Sequence, residues 1–179
     1  MTKRKWSIGL LLLVFILPLL WGCPYDSEVP LSKSSKAKID KELLGEWKFA
    51  DEKEQESGTI SIRQFNNHEL VIYMLVEHKS KGGEIECEIY RAFVTVIKDE
   101  KFLNVQKIGM FKESKESWTI VNYVLSGDTF KNRLVDDKLF KKLKKPITSS
   151  RALYRFVKQN LHNKDLYDGG FQVLKRVTQ

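Results

Sequence analysis

From residue 58 to residue 135 the chain divides into strand-length runs, most of them separated by very short polar breaks. This rhythm constrains the fold more than any other feature. The runs are "GTISIRQF" (58–65), "ELVIYMLVEH" (69–78), "EIECEIYRAFVTVI" (84–97), "KFLNVQKI" (101–108), "SWTIVNYVLS" (117–126) and "TFKNRLV" (129–135). They are rich in β-branched and aromatic residues and follow a period of two. The breaks "NNH", "KSKGG", "KDE" and "SGD" have hairpin length, so neighbouring runs are expected to pair antiparallel. Ahead of them, "IDKELLGEWKF" carries a short helical turn with Ile39, Leu43 and Leu44 on one side, and Gly45 ends it before a first strand at "EWKF".

The period then lengthens to 3.6. In "SSRALYRFVKQNLHN" the side chains of Leu153, Phe156, Val157 and Leu161 share one helical face, with Ser149 or Ser150 placed to cap the start. A last strand, "FQVLKRV" (171–177), follows Gly169-Gly170. A long open meander would leave its edges exposed, and closing it removes them. The expected fold is therefore mainly β: an up-and-down antiparallel β-barrel with a C-terminal amphipathic helix and a closing strand. Six or seven strands can be counted before the helix.

The amino terminus has a different character. "MTKRK" is basic, and the 17 residues of "WSIGLLLLVFILPLLWG" are apolar. As a helix rising ~1.5 Å per residue this run spans roughly 25 Å, short of the ~30 Å hydrocarbon core, and Pro18 interrupts it. A basic flank, a short apolar core and a small boundary residue describe an export signal. Cys23 follows at once. With Cys87 it could form a disulfide, which an exported protein permits. Neither cysteine sits in a C-x-x-C or Cys/His spacing that would mark a zinc site.

Leu20-Trp21-Gly22-Cys23 resembles the lipobox of bacterial lipoproteins, with an aliphatic residue at −3, a small residue at −1 and the obligatory Cys; Trp21 at −2 departs from that pattern. The resemblance implies that the Cys23 sulfur receives diacylglycerol, that cleavage falls before Cys23, and that the new amino group is acylated. Cys87 is then a lone thiol. Two or three chains anchor firmly, because each buried CH₂ contributes ~0.8 kcal/mol. The division that follows is a signal peptide at 1–22, a lipidated tether at 23–38 and a barrel domain at 39–179. The tether reading rests on "PYDSEVPLSKSSKAK", whose 15 residues lack hydrophobic period and would reach about 50 Å when extended. The location implied is the bacterial cell envelope, with the outer membrane facing the periplasm favoured.

Gly45-Glu46-Trp47, opening the first strand after a helical turn, is similar to the G-x-W signature of lipocalins. That resemblance implies that Trp47 plugs the closed end of the barrel and that an Arg on the last strand, here Arg176, packs across it. It also implies a lumen able to take a small hydrophobic ligand.

The remaining residues give little chemistry. In "EIECEI", Ile85, Cys87 and Ile89 alternate with Glu84, Glu86 and Glu88, so Cys87 is expected in the core and the glutamates in solvent, paired with lysines across the strands. Spread over ~13 Å, the three carboxylates cannot share one cation. His68 and His78 bracket one strand, about 33 Å apart, and with His162 are expected at the surface. "DKLFKKLKKP" (137–146) should pack Leu139, Phe140 and Leu143 on the barrel and turn its lysines to water, although the same lysines could rest on anionic headgroups. Both faces of "ELVIYMLVEH" are apolar: Leu70, Ile72, Met74 and Val76 on one, Val71, Tyr73 and Leu75 on the other. One should line the barrel and the other should be covered by the helix or a neighbour.

The net charge of +8 includes Lys3, Arg4 and Lys5, and no nucleic-acid-binding motif accompanies it. G-x-S-x-G, Walker and H-E-x-x-H motifs are missing, so no enzyme is expected, and no cofactor or metal. The expected partners are the membrane, through the lipid anchor, and either a small hydrophobic ligand or an envelope protein that binds a filled barrel.

Overall fold

A computed structural model describes residues 24–51, 56–108 and 117–178. The expected signal peptide and Cys23 lie outside the described residues. A short strand β1 (Asp26–Ser27) comes first, followed by β2 (Gly45–Asp51), β3 (Glu56–Gln64), β4 (Leu70–His78), β5 (Glu84–Ile97), β6 (Glu100–Lys107), β7 (Trp118–Ser126) and β8 (Thr129–Leu134). Helix α1 (Ser150–Asn160) and strand β9 (Gln172–Arg176) complete the described chain.

From β3 to β9 every strand pairs antiparallel with its predecessor. β9 then pairs with β2 through Trp47↔Arg176 and Lys48↔Lys175, which closes the ring. The result is an eight-stranded barrel with β1 outside it. β1 sits where β8 no longer reaches: β8 pairs with β7 from Val121 onward, and β1 takes the remaining stub at Trp118 and Thr119. Hydrogen-bonding groups that would otherwise be left open on β7 are thereby occupied.

Two apolar cores result. The inner one lies within the ring and contains Trp47, Ile62, Leu70, Leu103, Phe130 and Leu174. The outer one lies between the barrel wall and α1, where Leu153, Val157 and Leu161 meet Phe93, Phe102 and Ile120. Ser149 caps α1, its Oγ accepting from the Ala152 N–H at 3.4 Å. Each fully buried Leu or Val stabilises by ~1.5–3 kcal/mol, so the helix is held by this face rather than by its own propensity. Leu139, Phe140 and Leu143 join the same core, as their spacing predicts.

Three expectations are corrected. First, residues 24–38 are not slack. Leu31 is buried and its N–H donates to Asn104 Oδ1 at 2.7 Å, while Ser32 and Thr95 hydroxyls meet at 2.6 Å. Asn104 and Thr95 point outward from β6 and β5 and are buried, so this strap satisfies polar groups that the wall itself cannot. Second, the outer face of β4 is uncovered: Tyr73 is 42% and Leu75 46% exposed. The helix and strap cover the part of the wall around Phe93 and Phe102 instead. Third, Cys87 is exposed and Ile85 is 69% exposed, while the glutamates lie on the inward face. β5 is one continuous 14-residue strand whose Ala92 and Val94 pack in the inner core, and the period of two carries Glu88, Glu86 and Glu84 to that same side.

Candidate functional site

The barrel is closed at one end by the residues that begin β2. Trp47 is fully buried, and its indole Nε1–H donates to the Leu43 carbonyl at 2.9 Å. The Arg176 guanidinium lies 4.2 Å from the centre of the Trp47 ring. It donates to the carbonyls of Leu44 at 2.8 Å and Glu42 at 2.6 Å. Gly45 makes this possible twice over. Its φ is +133°, and a Cβ built there would stand 2.6 Å from Arg176 Nη1. The three residues singled out in the sequence, Gly45, Trp47 and Arg176, therefore meet at one place, and their work there is structural.

Beside this floor, Asp40 accepts from the Tyr123 hydroxyl at 2.9 Å and from Lys101 at 2.7 Å. Burial acts to raise the Asp40 pKa, but the hydrogen bonds from Lys101 and Tyr123 outweigh it and hold the carboxyl below its ordinary value. Burial, reinforced by the Asp40 charge, pushes the Tyr123 phenol up, so it remains a donor.

Towards the other end the lining changes. Phe49, Ile60, Met74, Val105 and Val121 face inward by register, yet each keeps partial exposure. Phe49, Ile60, Val105 and Val121 pack against the inner core, so the partly exposed stretch continues its inner wall. Eight strands leave an interior that side chains can fill or that holds one small molecule.

Further along the inner wall the apolar lining gives way to a polar group. Glu88 accepts from the Tyr90 hydroxyl and from Lys107 Nζ. Burial acts to raise the Glu88 pKa, but the bonds from Lys107 and Tyr90 win and lower it. The Glu88 hydrogen bond raises the Lys107 pKa. For Tyr90, burial is the main cause of a rise well above the ordinary phenol value. Near the rim His78 stands between Glu56 (2.8 Å) and Glu86 (3.4 Å), with its side chain largely covered. Among the described residues no group of three or more His, Cys, Asp and Glu side chains is placed to hold a metal ion.

The sequence candidates otherwise disperse. Cys87 lies on the outer wall. His68 is exposed at the opposite end from His78, with Nδ1 2.9 Å from the Ala37 carbonyl oxygen, and His162 is exposed. His78 is thus the histidine for which the surface reading fails. Glu88, Tyr90 and Lys107 were not foreseen as a group. Tyr90 pairs with Lys107 across β5 and β6, a register that only the hairpin reveals.

Comparison with family models, with curated proteins and with solved structures returns no match. Among the described residues no helix is long and apolar enough to cross a membrane.

Proposed function

We propose that this chain is a lipid-anchored cell-envelope protein, attached through Cys23, whose barrel binds one small hydrophobic molecule with a polar end. The apolar body would lie along Phe49, Ile60, Met74, Val105 and Val121, and the polar end would meet Tyr90, Glu88 and Lys107. The observation that carries this reading is the partial exposure of inward-facing apolar side chains inside a closed ring. It is tested by native mass spectrometry of the full chain after exposure to a bacterial lipid extract. A bound species that disappears in Val121→Trp, which fills the lumen, is the expected result. A chain that never carries extra mass refutes the ligand reading. Attachment at Cys23 has its own test: uptake of labelled fatty acid by the wild type and its loss in Cys23→Ala.

A second reading has a specific observation behind it. Tyr73, Leu75, Ile85 and Cys87 form an exposed apolar area on the outer wall of β4 and β5, aligned by the pairs Leu75↔Cys87 and Tyr73↔Ile89. Such an area favours an envelope protein as partner. Bifunctional cross-linking from Cys87 in intact cells separates the two, because a ligand carrier gives no discrete cross-linked partner.

A further inference from the structure

A strongly basic groove lies where the strap meets α1. It is an open trough of about 590 Å³ lined by Lys33, Lys36, Arg151 and Arg155, together with Leu31 and Tyr154. No carboxylate lines it, and among the described residues none of its four cations has an ion-pair partner. Like charges gathered on one wall repel each other, so an arrangement of this kind is suited to an external anion. A second groove, of about 460 Å³, borders the same outer core and runs past Pro24, Tyr25, Phe140 and Ile147, just ahead of the Ser150 that begins α1 and lines the first groove; it is of mixed charge, with Asp26 and Asp137 beside a Lys141 that is paired to Asp137 at 2.7 Å. Lys144 and Lys145 are exposed beside it.

The position of Pro24 decides what occupant this face fits. Pro24 is bridged to Asp136, the Tyr25 N–H donates to the Val135 carbonyl at 2.9 Å, and the Tyr25 ring stacks on Phe140 at 3.6 Å. The residue that follows Cys23 is therefore fastened to the barrel at the second groove, which borders the same outer core as the basic groove. An acyl chain on Cys23 leaves no free span between bilayer and protein. We infer that the face formed by Lys33, Lys36, Arg151 and Arg155, with Lys144 and Lys145, rests on the phosphate-bearing surface of an anionic membrane. This inference rests on the Cys23 reading, because the anchor brings that face to the bilayer. Counter-charge then comes from lipid phosphates, and the attraction decays within a Debye length, so it is salt-sensitive.

The test is lysine footprinting of the full chain with a membrane-impermeant amine reagent. The chain is reconstituted into vesicles of phosphatidylglycerol and phosphatidylcholine, and separately into phosphatidylcholine alone. Lys33 and Lys36 should be labelled several-fold less in the anionic vesicles, whereas Lys48 and Lys131, exposed on β2 and β8, should be labelled equally in both. The protection should fade at high salt and in the double variant Arg151→Gln/Arg155→Gln, whose changes sit on the exposed side of α1. Equal labelling of Lys33 and Lys36 in the two vesicles overturns the inference. So does their protection by inorganic phosphate without vesicles, which would assign the groove to a soluble anion. Acylation at Cys23 is read from fatty-acid uptake, so the two ideas fail on different measurements.

Discussion

Gly45→Ala is expected to cost far more than a one-methyl change at the start of a strand normally does. Two penalties combine. A non-glycine residue forced to a φ of +133° is strained by about 1–3 kcal/mol. The new methyl would also stand 2.6 Å from Arg176 Nη1 and must push the guanidinium aside. Arg176 then leaves the carbonyls of Glu42 and Leu44 and its place over Trp47. A charged hydrogen bond contributes about 1.5–3 kcal/mol when buried, and partial exposure reduces the combined loss here to roughly 2 kcal/mol. The sum is about 3–5 kcal/mol, or a fall of roughly 6–20 °C in Tm for a domain of this size. Urea unfolding followed by tryptophan fluorescence measures it. The decisive comparison is the same substitution in an Arg176→Ala background. With the guanidinium gone, only the backbone strain remains, and Gly45→Ala should cost about 2 kcal/mol less than in the wild type. Strictly additive costs would refute the claim that Gly45 exists to admit Arg176.

Leu153→Ala should destabilise by about 2–5 kcal/mol, read from the urea midpoint, because this fully buried side chain pins α1 to the wall. Asp40 has a folded-state pKa below its unfolded value, so its contribution is present at neutral pH and lost as the pH falls through the acid range; in Asp40→Asn the acid arm of the stability profile should be shallower. Cys87 should react with a maleimide in the native protein about as fast as a free thiol, without loss of structure by circular dichroism, whereas a core thiol would react only on unfolding.

The barrel was legible in the sequence because its information is local. Runs of alternating residues and two- to five-residue polar breaks fix strands and hairpins without knowledge of anything distant, and the floor at Gly45 and Trp47 carries a short motif. The strap was illegible for the opposite reason. Leu31 and Ala37 follow no period, and their partners Phe93 and Asn104 lie far away in sequence. The orientation of Cys87 failed on an ambiguity in β5. From Ala92 to Thr95 both faces of that strand are buried, one in the inner core and one in the outer, so apolarity there could not say which face was inward. Its polar upstream half simply inherits the answer. Glu88, Tyr90 and Lys107 meet only through the β5–β6 register, which places a carboxylate, a phenol and an ammonium together from segments that look like ordinary exposed strand.

Closure by β9 also sets a schedule. The first and the penultimate strands of the ring wait for residues 172–176, which come after the whole helical excursion. A chain that is still being threaded out can zip hairpin after hairpin as each emerges, but its two outermost strands stay unsatisfied until β9 arrives. Arg176, the last residue of that tail strand, then locks onto carbonyls at the beginning of the ring. Loss of residues 172–176 would therefore strand an almost finished barrel with two open, sticky edges, and quality control would meet it as an aggregating species.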